Sequence, residues 1–326
     1  MNPIILTKNS RVDGCKFVDL FRFRNGHEVP IYEIFTTAAL NQLIGHVKFS
    51  NSAYGNVFYR GISALYDNVL PAHLRDKVSG TPKGLIKLLK EINGNDFFAQ
   101  SLKLRPLIKC KSRDDYAINQ RIERQNCHCI EGLLQHYSGS TRFLDIVDNH
   151  WVALWMGLHK FNSYGKNNIF CNPQKRRISV EEIIEGINIK GVIQLKALEP
   201  YVYVLLMAFP YPTYGSEYGI SEGGEFVVID LRRALPSIYL RPHAQHALVV
   251  RRRDTDKVQP AEYYDLASQV VAVLKIRTDR VDKWLGNGDL LTKENLFPSP
   301  GIDQGYNTLL MHSEIFKYQF QIIKYF

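Results

Sequence analysis

The chain has 326 residues, 45% of them apolar and 12% aromatic, which suffices for a sizeable core and excludes a disordered polypeptide. Its 41 lysines and arginines against 32 acids give a formal charge of +9 and a pI near 9.2, a balance that favours polyanionic partners. The longest apolar run, Tyr201–Phe209, is too short to cross a bilayer as a helix, and Met1–Ser10 lacks the apolar core of a secretory leader. A cytoplasmic protein with no membrane partner is expected. The five scattered cysteines include no Cys-x-x-Cys pair and fit reduced thiols. Cys127-His128-Cys129 is too tightly spaced for a tetrahedral zinc site and no second ligand pair follows, so no metal is expected.

In chain order, residues 1–50 read as an amino-terminal lead-in packed on a domain spanning 51–326, with a helix from Ile34 to Val47. Asn56–Gly61 reads as a short buried strand ending in glycine, Leu65–Arg75 as a loop, Lys83–Ile92 as a helix and Arg113–Tyr137 as largely helical. Ile130, Leu133, Leu134 and Tyr137 share one helical face; Trp151, Leu154, Trp155 and Leu158 repeat that spacing, with Asp148 or Asn149 available as N-cap. The connector between them carries Ser138, Ser140, Thr141, Arg142 and Asp145. Such a cluster is scaffolding if Arg142 pairs with Asp145 and Thr141 caps a turn, and a site if these groups face a cleft. Gly165–Arg177 is polar and reads as an exposed irregular loop.

The second half changes character. Val192–Leu198, Tyr201–Phe209, Glu225–Leu231, His246–Arg251 and Val270–Arg277 are strand-length apolar runs separated by turn signals. Val281–Leu285 and the stretch from Gly305 onward look helical. Helices first and strands later, without regular alternation, predict an α+β fold. No Gly-x-Gly-x-x-Gly or Gly-Lys-Ser/Thr motif is present, which argues against Rossmann and P-loop sites. Basic residues gather at Lys103–Arg113, Lys175–Arg177, Arg232–Arg233 and Arg251–Arg253, as nucleic acid, a nucleotide or an acidic protein would require.

Three segments stand out together: Phe58-Tyr59-Arg60-Gly61, then Gln135-His136-Tyr137-Ser138 through Thr141-Arg142-Phe143-Leu144-Asp145, then Arg241 to Gln245. Each puts polar residues at the edge of an apolar element, and in this order they resemble the FRG-domain family. That family carries an aromatic-Arg-Gly signature, a Gln-His-Tyr-Gly-x-Thr-Arg-x-Leu-Asp block followed by an aromatic helix, a later Arg-x-x-x-Gln, and a Leu-Phe-Pro that Leu296-Phe297-Pro298 matches. The chain departs at Ser138, where glycine is usual, and at Phe143, where leucine is usual. The resemblance covers roughly residues 55–310.

FRG domains look like remote relatives of the ADP-ribosyltransferases of the Arg–Ser–Glu class. The resemblance therefore implies an ADP-ribosyltransferase-like split, mixed or antiparallel β-sheet with helices inserted between the first and second motifs. It implies NAD as substrate, with Arg60, Thr141 and Gln245 as catalytic positions; Glu225 competes with Gln245 for the third. Tyr59, Arg60, Gly61, His136, Tyr137, Ser140, Thr141 and Arg142 would bind the dinucleotide. Breaking the nicotinamide–ribose bond passes through an oxocarbenium-like state, so such a site needs an arginine fork for the pyrophosphate and a group that stabilises cationic ribose. The acceptor would be a macromolecule, RNA, DNA or protein, and members in phage-defence and toxin–antitoxin loci imply a partner that restrains the toxin. An NAD glycohydrolase, or a non-enzymatic RNA- or nucleotide-binding module using Arg251–Arg253, are the competing expectations.

Overall fold

Strands lie on either side of a largely helical stretch from Lys83 to Leu158, and short helices follow the last long strand. The computed structural model describes residues 2–7, 12–71, 74–75, 83–138, 141–164, 170–176, 201–212, 218–254, 259–313 and 322–325. The chain begins with an antiparallel hairpin, β1 (Cys15–Arg22) and β2 (Glu28–Ile34), then α1 (Thr37–Ser50) and β3 (Gly55–Ile62). Helices α2 (Lys83–Asn93), α3 (Asp96–Ser101) and α4 (Arg113–Ser138) precede β4 (Leu144–Val147) and α5 (His150–Leu158). β5 (His159–Tyr164) and β6 (Phe170–Lys175) form a second hairpin. β7 (Tyr201–Pro210), β8 (Ile220–Gly223), β9 (Phe226–Asp230), α6 (Leu231–Ala234), α7 (Leu240–Ala244), β10 (Ala247–Arg252) and β11 (Val270–Arg277) follow. The chain closes with α8 (Thr278–Trp284), α9 (Lys293–Leu296), α10 (Gln304–Met311) and β12 (Lys324–Tyr325).

The fold is α+β. Nine strands form one mixed sheet in the order β1-β2-β11-β7-β3-β4-β10-β9-β8, antiparallel throughout except where β2 lies parallel to β11. A small sheet, β12-β6-β5, sits apart from it in hydrogen bonding. Residues 15–50, expected as a lead-in on the core, supply two strands of the main sheet and α1. The helix expected from Ile34 starts at Thr37, because the Thr36 hydroxyl accepts the Ala39 amide at 3.1 Å and fixes the N-terminus there. β6 occupies part of the stretch expected as an irregular loop, and β4 runs through the connector between the two aromatic-rich helices. The stretch from Gly305 contains α10 and then β12. Val192–Leu198 lies outside the described residues.

Helices cover one face of the main sheet in two blocks. α1, α5 and α8 pack over β2, β11, β7 and β3, while α4, supported by α2 and α3, packs over β10 and β9. The opposite face carries its own cluster, including Phe58, Leu144, Leu205, Met207 and Val250. Between the two helical blocks the sheet itself is weakest: β3 and β4 are joined by a single bridged pair, Tyr59 with Val147, whereas β3 and β7 pair along eight residues. Two glycines fix the depth of α5 there. A Cβ on Gly61 would lie 1.6 Å from the Ala153 carbonyl oxygen, and one on Gly157 would lie 2.5 Å from a Val202 methyl. Helix and strand therefore touch backbone to backbone. Among the described residues no helix is long and apolar enough to cross a membrane.

Candidate functional site

Where β3 and β4 part, a cleft of about 510 Å³ opens between α4 and α5. β3 contributes Tyr59, Arg60 and Gly61; α4 contributes Gln135 and His136; β4 contributes Asp145; Gln245 enters from the end of α7, and Phe297 and Tyr325 close one wall. Nothing sequence-local brings these together. They meet because a split sheet leaves its central strands without a complete ladder, and side chains fill the gap.

Arg60 spans that gap. Its Nη1 donates to the backbone carbonyl of Asp145 at 2.5 Å, replacing a ladder hydrogen bond that the splayed strands do not make. Burial pulls the guanidinium down to about 10, opposed by the Asp145 carboxylate, so it remains charged at neutral pH. Arg75 lies close enough to lower the Arg60 pKa further. Arg60, Ile62, Tyr66 and Arg75 line both the cleft and an adjoining cavity of about 210 Å³ walled by Phe23, Leu65 and Leu144. Two guanidiniums at the junction of two cavities favour an anion with a substituent on either side.

Alternation along β4 decides the rest. Leu144 and Ile146 point into the opposite core, so Asp145 points into the cleft. Its Oδ2 accepts from Gln135 Nε2 at 2.5 Å, and its Oδ1 stands 3.7 Å from His136 Nδ1, too far for a hydrogen bond. Gln135 is held in turn by Thr141, whose hydroxyl donates to Gln135 Oε1 at 2.9 Å and accepts from the Phe143 amide at 3.1 Å. Thr141 is fully buried and does not line the cleft. It acts two bonds removed, through Gln135, on the carboxylate. Burial lowers the pKa of His136 despite the nearby Asp145, leaving a neutral imidazole at pH 7. Asp145 Oδ1 and His136 Nε2 have no hydrogen-bond partner among the described residues. A bound polar group would satisfy both.

Of the positions expected to bind or act, Tyr59, Arg60, Gly61, His136 and Gln245 meet at the cleft. Gln245 is buried and its Nε2 donates to the Leu296 carbonyl at 2.7 Å. Glu225 lies in the β8–β9 turn, largely exposed and paired with Arg252 at 2.7 Å, and does not reach the cleft. Tyr137 turns the other way: its hydroxyl donates to Asp303 at 2.8 Å, and burial raises its pKa well above the usual range. Arg142 is not paired with Asp145. It is buried against Glu131 at 2.6 Å and Asp254 at 2.9 Å. Ser140 lies outside the described residues. Arg75 is a cleft residue that no sequence motif singled out, and Asp145, read as a partner of Arg142, instead presents its carboxylate to the cleft. For Asp145 the signal was the alternation of Leu-Asp-Ile-Val, only four residues long.

Behind the wall formed by Phe297 and Tyr325, Arg241 is completely buried, and none of its guanidinium nitrogens has a hydrogen-bond partner among the described residues. Four rings enclose it: Tyr137 at 4.3 Å, Tyr306 and Tyr325 at 4.5 Å each, and Phe297 at 5.6 Å. Its own amide donates to Asp303 at 3.1 Å, the carboxylate that also caps α10. The first residue of the Arg-x-x-x-Gln segment thus holds the cleft wall through cation–π contacts, and the last lines the cleft.

Neither a family model, nor a curated protein, nor a solved structure matches the chain.

Proposed function

We propose that this chain is an NAD-dependent ADP-ribosyltransferase. It would cleave the bond between nicotinamide and ribose and pass ADP-ribose to a macromolecular acceptor, RNA being favoured by the charge excess. One observation carries the reading: Arg60, His136, Asp145 and Gln245, drawn from four separate elements, line one cleft at the parting of two central strands. Its volume lies within the range of small-molecule and cofactor sites.

In the proposed reaction Arg60 and Arg75 hold the pyrophosphate. Nicotinamide departs with the bonding electron pair, and the positive charge that develops on the ribose is stabilised by the Asp145 carboxylate, which Gln135 and Thr141 hold in place. The acceptor nucleophile then bonds to the ribose carbon and loses its proton; neutral His136, whose Nε2 has no partner among the described residues, would take that proton. Asp145 supplies the negative charge that the neutral Gln245 lacks. The Arg251–Arg253 cluster, on which the competing RNA-binding module would draw, is partly neutralised, which weighs against that reading: Arg251 is buried beside Asp254 at 3.1 Å, Arg252 pairs with Glu225, and Arg253 lies 3.5 Å from Glu222.

The experiment is incubation of the pure chain with NAD carrying a label on its adenosine half, together with cell RNA, DNA and protein, in parallel with Arg60→Ala. Label on a macromolecule and free nicotinamide, both abolished by the substitution, support the reading. Free ADP-ribose with no adduct would make the chain a glycohydrolase. Absence of both products would end the proposal.

A further inference from the structure

The basic cluster Lys103–Arg113 plays no part in the cleft. It contains five cations and no acid, and it leads into a second concavity of about 320 Å³ that shares no lining residue with the first. Aliphatic and thiol groups form its floor: Leu104, Cys129, Ile220 and Leu235. Its charged rim is Lys103, Arg105 and Arg233, with no acid lining it among the described residues.

Two asparagines of α4 bracket the segment that leads away from this pocket. Asn126 exchanges hydrogen bonds with the amide and carbonyl of Arg105, at 3.1 and 2.9 Å. Asn119, two helical turns earlier, does the same for Ile108, at 2.9 and 2.8 Å. Residues 105–108 therefore form a fixed ribbon along the helix, and yet Leu107 and Ile108 stand 55% and 42% exposed. Tyr116, one turn before Asn119 on the same helical face, is 61% exposed. At the pocket mouth Tyr218 is 62% exposed and stacks beneath the Arg105 guanidinium, 5.2 Å from ring to cation. Lys103 and Tyr218 both hold left-handed backbone, at φ 50° and 51°. L side chains rarely adopt that conformation, so the rim is fixed against its own preference.

A rigid apolar ribbon edged by cations and ending in an apolar pocket is the shape of an interface that has not met its partner. We infer that this surface docks an acidic segment of a separate protein, with one bulky apolar side chain seated in the pocket and carboxylates beside Lys103, Arg105 and Arg233. Aliphatic walls set the choice of partner class. Nucleic acid would use the cations and the rings of Tyr116 and Tyr218 but not the aliphatic groups of Leu104, Leu107, Ile108, Ile220 and Leu235, which a bulky apolar side chain of a protein would bury. The inference is independent of the catalytic reading, because the surface touches no cleft residue.

The test is panning a displayed library of random peptides on the full chain, counter-selected on a variant carrying Lys103→Glu, Leu107→Asp and Tyr218→Ala. All three positions are exposed, so the fold is retained, which circular dichroism checks. Enriched peptides are expected to place Asp or Glu around a Trp, Phe or Leu, and a synthetic representative to bind the variant at least about tenfold more weakly. The inference is overturned if the enriched peptides lack that pattern or bind the variant equally. It is also overturned if an RNA oligonucleotide displaces them and itself depends on the three residues.

Discussion

Arg60 donates its guanidinium proton to the backbone of Asp145 across the parting of β3 and β4, so a single side chain both closes the sheet and charges the cleft. Structural and functional losses can be separated. Arg60→Ala leaves the Asp145 carbonyl unpaired, costing about 1–3 kcal/mol in urea unfolding, and lowers nicotinamide release by about 100-fold or more. Arg60→Lys keeps the charge without the fork and falls between. Arg75→Ala, at an exposed position, leaves stability unchanged and raises the KM for NAD by about tenfold, as loss of a pyrophosphate contact requires. Full turnover in Arg60→Ala would place the chemistry elsewhere.

In the proposed reaction Asp145 and Gln245 are rivals for the group that would steady cationic ribose. Asp145→Asn keeps the shape and can still accept from Gln135, so folding is unaffected while kcat falls by about 100- to 1,000-fold. Gln245→Ala is expected to cost far less in kcat and to show chiefly as lost stability, since its amide ties α7 to the Leu296 carbonyl. The reverse ranking would return the third motif to Gln245.

Thr141 reaches the site only through Gln135. Thr141→Val removes the hydroxyl at constant shape and leaves the Gln135 carbonyl held only by the longer bond from the Thr141 amide at 3.3 Å, which loosens the Asp145 carboxylate. The expected signature is a lower kcat with the KM for NAD little changed, together with about 1–2 kcal/mol of lost stability. Thr141→Ser should restore most of both. A rise in KM alone would mean that the hydroxyl touches substrate.

The Arg-Gly dipeptide, the Gln-His-Tyr block and the late Gln245 could be read from the sequence because each sits at the edge of a strongly apolar element. What those elements do to one another could not. Gly61 is required by the carbonyl of Ala153, a residue 92 positions later. Arg142 finds its acids 11 residues earlier and 112 later, so its sequence neighbour Asp145 looked like the natural partner. β4 is four residues long, too short to stand out between two helices, although its alternation is what turns Asp145 into the cleft. β1 escaped notice because an edge strand keeps mixed, half-exposed side chains on both faces.

Acid should weaken the fold before the carboxylates titrate. Burial lowers the pKa of His128, His136, His150, His159 and His246 below the usual 6.5, His150 to about 4. In that window the unfolded chain binds protons that the folded chain refuses, so stability is fully present above about pH 6.5 and declines as pH falls towards the folded values. Urea midpoints should therefore drop steadily between about pH 7 and pH 5. His150→Leu should shrink the drop; its Nε2 has no hydrogen-bond partner among the described residues to lose, and the cation facing it is Lys48. A midpoint that rises on acidification would contradict the assignment.

Arg142 offers the sharpest contrast between a buried structural arginine and a ligand-binding one. Burial opposes its charge, yet Glu131 and Asp254 outweigh that penalty and raise its pKa. Glu131 alone accepts from its Nε, its Nη2 and its backbone amide. Glu131→Gln leaves the guanidinium without its main compensating charge and should cost about 3–5 kcal/mol in urea unfolding. The double variant Glu131→Leu with Arg142→Met should recover much of that loss, because an apolar pair of similar volume needs no desolvation. In the fraction that folds, the KM for NAD should match the wild type, since Arg142 lies outside the cleft. A KM that rises severalfold in the stable double variant would show that this guanidinium contacts the substrate after all.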